Sequence, residues 1–286
     1  MAAPILCGVD SSAHARCAAE HAATLADRLG RRLVLVHAAE EPSVDPQTRR
    51  KPLGYDLCTA EHRRTHERWL AALALAIGAD RAETRVEVGP AGDWLTVLAG
   101  AYSAALVIVG CRGVSTLHTL MLGSVSAELL RRSPCPVMVV PPRVHRDDAR
   151  DRPARVVCGV GDRTDAPAAR LAAQLANALD APLTLSHVVP RATDPRLEYS
   201  AHGLLSGVLA DLAVDERDVA VSLRHGRVSD ELDTLATEHD ALLVVRSRGR
   251  GLLRSGLLGS VSRALATQGR RPVVICPRGA RTYLAA

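Results

Sequence analysis

The sequence predicts two α/β domains in tandem, each an open parallel sheet with helices on both faces, packed together as a pseudo-dimer. Three observations predict this. First, the chain is written twice. "ILCGVDSS" at 5–12 returns as "VVCGVGDR" at 156–163, "RLVLVHAAE" at 32–40 as "PLTLSHVVP" at 182–190, and "ALVIVGCRG" at 105–113 as "ALLVVRSRG" at 241–249; the segment 120–142 returns at 257–277, in the same order. Second, within each copy short, continuously apolar runs alternate with stretches of helical periodicity, the pattern of a parallel sheet covered on both faces. Third, each copy ends in an apolar strand, "PVMVVPP" and "PVVICPR". Left at a sheet edge, either would be an exposed pairing template, so the two are expected to pair with each other.

The elements of the first copy follow in order. Residues 4–10 read as a buried strand. From Ser12 to Leu29, Ala and Leu recur at helical spacing, and Gly30 stands where a helix C-cap is expected. Residues 32–38 form a second strand, 59–78 a long amphipathic helix ending at Gly78, and 84–88 a third strand. Helix 92–103 leads to the apolar strand 105–109; helix 124–132 is stopped by "SPCP", and strand 136–140 closes the copy. With right-handed crossovers this alternation is a Rossmann-like arrangement. The domains are expected at 1–143 and 155–286, joined by a polar, proline-bounded linker at 144–154. The copies are offset by 151 positions at the first strand (5 against 156) and by 136 at the glycine loop (113 against 249), so the second has lost residues after its second strand. The first copy carries "EPSVDPQTRRKPLGYDLC" there, a stretch of turn formers and charge that tolerates length change.

At 286 residues each copy can bury its own core, and with no Phe and 2% aromatic residues that core must be built from Val, Leu, Ile and Ala. The net charge of +5 is modest and carried by scattered arginines, the only lysine being Lys51. It admits anions but lacks the clustered basic stripe of a nucleic-acid-binding protein. Seven cysteines without a CxxC pair read as small buried thiols in a reducing compartment, not as zinc ligands. The N-terminus has neither the charged region nor the apolar run of a signal peptide, and no segment reaches membrane-spanning length. A cytoplasmic protein without membrane contact is expected.

The chemistry concentrates in "VIVGCRGVSTLHTLMLGSVS" at 107–126. Gly110 and Gly113 follow the carboxyl end of a strand, where open parallel sheets bind their ligands. Gly123 and Ser124 open the next helix, whose unpaired amides and partial positive charge suit phosphate. Glycine lets a backbone approach closely; Ser124 and Ser126 offer hydroxyls and Arg112 a charge. The segment is neither a Walker A loop, having no GKS or GKT, nor a dinucleotide GxGxxG, since it follows the fourth strand. Taken alone, turn glycines and a helix-capping serine would look the same.

The spacing Gly-x2-Gly-x9-Gly-Ser at Gly110, Gly113, Gly123 and Ser124 resembles the ATP-binding signature of the universal stress protein family. Asp10 at the end of the first strand is similar to that family's acidic residue near ribose and phosphates, and "LVLVHA" to its second strand. The resemblance covers nearly the whole chain. It implies ATP held by Gly110, Arg112, Gly113, Gly123, Ser124, Val125 and Ser126, with Asp10 near the ribose, Ala38 meeting adenine through its backbone, and Mg2+ reached by Asp10 through the phosphates. In the second copy it implies a weaker set, Val188, Gly249, Gly259, Ser260 and Ser262. There Gly161 stands for Asp10, with Asp162 one residue on, and Arg246 stands for Gly110. The first domain is therefore expected to be the better nucleotide site.

Function is expected to be that of a stress-response or regulatory ATP-binding protein with no enzymatic role beyond weak ATP hydrolysis. A nucleotide-free scaffold is the alternative, followed by a phosphoryl or nucleotidyl transferase. The transferase lacks an activating base and a lysine near the phosphates, since Lys51 falls in the variable loop. His37 and His187, ending matching strands, read as structural residues, and Trp69 and Trp94 as packing residues. The arginine pairs 131–132 and 270–271 suit helix C-termini. The protein partner is unknown, and a homodimer of whole chains is left open.

Overall fold

The computed structural model describes residues 2–39, 55–113, 121–145, 147–149, 152–189, 195–212, 219–247, 259–282 and 284, and among residues 55–59, 147 and 195 the backbone only. The first half runs β1 (Ile5–Gly8), α1 (Ala13–Arg28), β2 (Leu33–Ala39), α2 (Tyr55–Ala76), β3 (Glu83–Val88), α3 (Ala91–Ala101), β4 (Leu106–Gly110), α4 (Ser124–Arg132) and β5 (Val137–Val140). The second half repeats it as β6 (Arg155–Gly159), α5 (Ala166–Ala178), β7 (Leu183–Val189), α6 (Pro195–Ala210), β8 (Val219–His225), α7 (Val228–Glu238), β9 (Ala241–Arg246), α8 (Ser260–Gln268) and β10 (Val273–Cys276). The alternation expected from the sequence is present throughout. Its boundaries shift where caps decide them. The long helix stops at Ala76 because Gly78, at φ +71°, turns back so that Ala79 N donates to Ala74 O; Gly30, at φ +60°, ends α1 in the same way.

The strands form one sheet of ten, in the order β3-β2-β1-β4-β5-β10-β9-β6-β7-β8. All neighbours are parallel except β5 and β10, which pair antiparallel as Val137↔Ile275, Met138↔Val274 and Val139↔Val273. The two apolar terminal strands thus cover each other, as their sequences require, and the edge falls to β3 and β8. Those strands are guarded by ion pairs, Arg32–Glu83 and Arg85–Glu87 at one edge and Arg224–Glu238 at the other. Val, Leu, Ile and Ala fill the layers on both faces. Among the described residues no helix is long and apolar enough to cross a membrane. The six cysteines whose side chains are described are buried free thiols. Burial pushes Cys111 and Cys135 up to about 11 and Cys276 up to about 12, so they are packing atoms at neutral pH.

The linker is more than a solvated tether. Val144 and Ala149 are buried, Asp147–Ala149 forms one turn of 3-10 helix, and the Cys17 thiol of α1 lies 3.7 Å from Val144 O. The apolar residues scattered through this charged segment find a surface on α1 that the linear sequence does not display. Beneath them His21 is 8% exposed, with no hydrogen-bond partner for its Nε2. Burial, opposed by Asp148 and aided by Arg271, lowers its pKa from the ordinary 6.5 to about 4. The unfolded chain therefore takes up this proton near pH 6.5 and the folded chain only near pH 4. Stability should fall as pH drops through that window, by about 3 kcal/mol from this group. Urea denaturation of His21→Leu should show a correspondingly flatter pH dependence between 6.5 and 4; an unchanged slope would exclude His21 as the titrating group.

Candidate functional site

In each half the chain builds outward from its first strand to one side, then returns to the other. The order reverses between β1 and β4, and again between β6 and β9. Beyond the carboxyl ends of such strands the connections part and leave a crevice.

In the first half, Asp10 leaves β1 and accepts Ser12 N at Oδ1 (2.9 Å); Ser12 Oγ in turn accepts Ala15 N (3.1 Å) and caps α1. Gly113, just after β4, lies directly on that carboxylate. A Cβ at Gly113 would stand 2.4 Å from Asp10 Oδ2. Gly123 N donates to Cys111 O (2.9 Å), and Gly123 is the N-cap of α4 without a side chain to offer it. The first-turn amides of Ser124, Val125 and Ser126 thus end α4 electropositive at the crevice. Arg112 is half-buried against the Cys111 thiol, whose pKa rise it opposes. Ala38, half-buried, stands near the end of β2 across from Glu87.

Two residues hold positions different from those the sequence suggested. Ser126, expected to turn its hydroxyl to a phosphate, is 2% exposed and donates inward, with Gly110 O at 3.0 Å and Cys111 O at 3.2 Å. Its hydroxyl pins the loop, and its backbone amide is what faces the helix end. Gly110, expected to let a ligand approach, instead admits a helix: a Cβ there would stand 3.0 Å from both His14 C and His14 O in α1.

The second half shows what happens without that glycine. Arg246 stands in place of Gly110, and Asp165 in place of His14 by the repeat register. Helix α5 begins only at Ala166, after a 3-10 turn at Arg163–Asp165. The Arg246 Nη1 donates to Thr164 O in that turn. Asp162 caps the 3-10 turn, accepting Thr164 N (2.8 Å), and Asp165 Oδ2 accepts Gly161 N (2.8 Å). Gly259 caps α8 without a side chain, Ser260 is exposed on its first turn, and Ser262 Oγ is 3.4 Å from Arg246 O. Gly249 lies outside the described residues. A cleft of about 760 Å³ opens here, lined by Gly161, Ser186, Val188, Leu232, Arg246, Ser260 and neighbouring residues.

His37 and His187 lock matching strand ends, their Nδ1 atoms lying 2.9 Å from Val9 O and 2.7 Å from Val160 O. In the first half the lock extends into a chain of rings that the sequence did not disclose. His37 Nε2 is 2.9 Å from His66 Nδ1, and His66 Nε2 is 3.1 Å from His62 Nε2. Burial, then His37 and His62, hold His66 below the usual histidine range. Trp69 packs 4.9 Å from the His37 ring, and Trp94 donates to Val88 O. The i, i+4 spacing of His62 and His66 was legible; that it faced His37 was not. Ser186 was equally undisclosed, although the repeat sets it against Val36.

The architecture defines a tandem α/β protein with two switch-point crevices, one in each half. The family model for the universal stress protein family matches residues 1–141 and 154–277, and the chain belongs to that family as a tandem two-domain member. It is 29% identical over 291 residues to a universal stress protein of Mycobacterium tuberculosis, covering 95% of each chain. Over 290 residues it is 30% identical to one of Mycolicibacterium smegmatis, covering 95% of this chain and 96% of that one. A universal stress protein structure from Archaeoglobus fulgidus shares the fold with a TM-score of 0.73 at 19% identity, over 96% of this chain and 98% of that chain.

Proposed function

We propose that the first half binds ATP with Mg2+, and that the protein acts as a stress-response or regulatory nucleotide-binding protein with at most weak ATP hydrolysis. The observation that supports this reading best is the contact of the Gly113 loop with Asp10, opposite the uncapped start of α4. A triphosphate laid along this loop meets the amides of Ser124, Val125 and Ser126, while Asp10 lies toward the ribose and Ala38 toward the base. The amide-lined helix end suits a polyanion. Among the described residues no group of three or more His, Cys, Asp or Glu could hold a metal ion. Magnesium would therefore arrive with the phosphates and be held by Asp10, one carboxylate plus phosphate oxygens being an ordinary set for it. It would neutralise phosphate charge there.

Calorimetric titration of the intact chain with ATP in Mg2+ tests the reading. Asp10→Asn removes the charge but keeps an oxygen for Ser12 N, so the fold should persist. Without the charge-assisted interaction, binding should weaken by about tenfold or more. Equal affinity in the folded variant would sink the assignment.

A further inference from the structure

We infer that the chain of rings in the first half is a transition-metal site: His62 and His66 of α2 hold a divalent ion of the zinc class through their Nε2 atoms, and His37 fixes the His66 ring for that task. The two ligand atoms are 3.1 Å apart. Two nitrogens bound to one tetrahedral zinc at about 2.0–2.1 Å each stand about 3.3 Å apart, so the rings need little movement to share an ion. Their spacing of four residues brings them together on one face of the helix.

The tautomers follow from one backbone atom. Val9 O can only accept, so His37 Nδ1 carries the proton that meets it at 2.9 Å. A neutral His37 then has a bare Nε2, and His66 Nδ1, 2.9 Å away, must donate to it. That leaves Nε2 of a neutral His66 bare, facing His62. A ring with one nitrogen free and its other N–H held by a fixed acceptor is the form in which histidine ligates metals. In the metal-free chain His62 supplies the proton between the two Nε2 atoms. On binding, the ion takes that proton's place, and the proton passes through water to His62 Nδ1. None is released, and both rings stay neutral.

The second half shows that a strand lock does not need this chain. His187 holds Val160 O at 2.7 Å with a single ring, and among the described residues no second ring meets it. Trp69, 4.9 Å from the His37 ring, steadies the base of the chain. His62 and His66 are half-buried, so water reaches the ion from the solvent side. Among the described residues no cluster of three ligating side chains forms, so water fills the remaining positions. Imidazole ligands suit zinc, copper and nickel rather than magnesium, which separates this site from the crevice proposed for Mg-ATP.

Calorimetric titration of the untagged, EDTA-treated full chain with ZnCl2, without nucleotide, tests the inference independently of the ATP reading. One zinc per chain is expected. His37→Leu should weaken binding by about tenfold although His37 does not touch the ion, because loss of an outer partner costs about 10–100-fold; His62→Ala, which removes a ligand from a half-exposed helical position, should keep the fold and weaken it further. His225→Gln, at a surface histidine paired with Glu198, should leave zinc binding unchanged. Nitrogen-15 spectra of the rings give a second readout. Zinc should move the His62 proton from Nε2 to Nδ1, and in His37→Leu the His66 ring should lose its fixed Nδ1–H form. A purely structural chain of rings would show no zinc-dependent change. No zinc uptake, an unmoved His62 tautomer with zinc bound, or uptake kept in His62→Ala and lost in His225→Gln would overturn the inference.

Discussion

Gly113→Val is expected to raise the Kd for Mg-ATP by about a hundredfold or more while leaving the chain folded. The Cβ it adds would lie 2.4 Å from Asp10 Oδ2, far inside contact distance. Either Asp10 leaves Ser12 N, or the loop lifts away from the crevice; both displace groups proposed to meet the nucleotide. Breaking two charge-assisted hydrogen bonds to the nucleotide, at about 1.5–3 kcal/mol each, gives that factor. The backbone at 113 is not in the left-handed region and the residue is only half-buried, so valine there strains the site more than the core. Gly110→Val should do the opposite. Its side chain meets the α1 backbone at His14, and overpacking of that kind costs about 1–3 kcal/mol or more. Calorimetry and urea denaturation on both variants separate the roles. A Gly113→Val chain that binds ATP normally, or a Gly110→Val chain of unchanged stability, would contradict the geometry.

Val274→Asp should disrupt both halves at once. Val274 is 0% exposed, stands opposite Met138 in the antiparallel pair and beside Val244 in β9. An unpaired carboxylate there can neither reach water nor find a counter-charge, which costs at least about 4 kcal/mol. Val274→Ala, removing volume only, should cost about 1–3 kcal/mol. The seam makes a sharper prediction for hydrogen exchange. Amides of β5, in the other half of the sequence, should lose protection in the Val274→Asp chain. Full protection of β5 beside an unravelled β10 would mean that the halves do not share a sheet.

Much of this architecture can be read from the linear chain because it depends on local pattern. Apolar runs of strand length, helical stripes bounded by Gly30 and Gly78, and a twofold repeat leave few topologies open. The pairing of "PVMVV" with "PVVIC" also follows from the sequence, since an apolar edge must be covered. The contact of Gly113 with Asp10 is partly legible, because both follow strands that end at the same switch point.

What the sequence alone determined is therefore the two-copy parallel sheet, its seam, and the set of backbone positions that surround each crevice. Tertiary structure decided how those positions are used. Gly110 faces the His14 backbone and Ser126 turns inward to two carbonyls, because helix α1 and the α4 turn, distant in sequence, press against the same loop. Ser186 is a buried, unmatched hydroxyl only because α7 closes over β7. Arg246 reads as a broken motif until the 3-10 turn that shifts the start of α5 gives its guanidinium a carbonyl to hold. Each outcome depends on which surface packs against a residue from across the sheet. Periodicity shows which face a side chain occupies, and only the packed chain supplies the neighbour that it meets there.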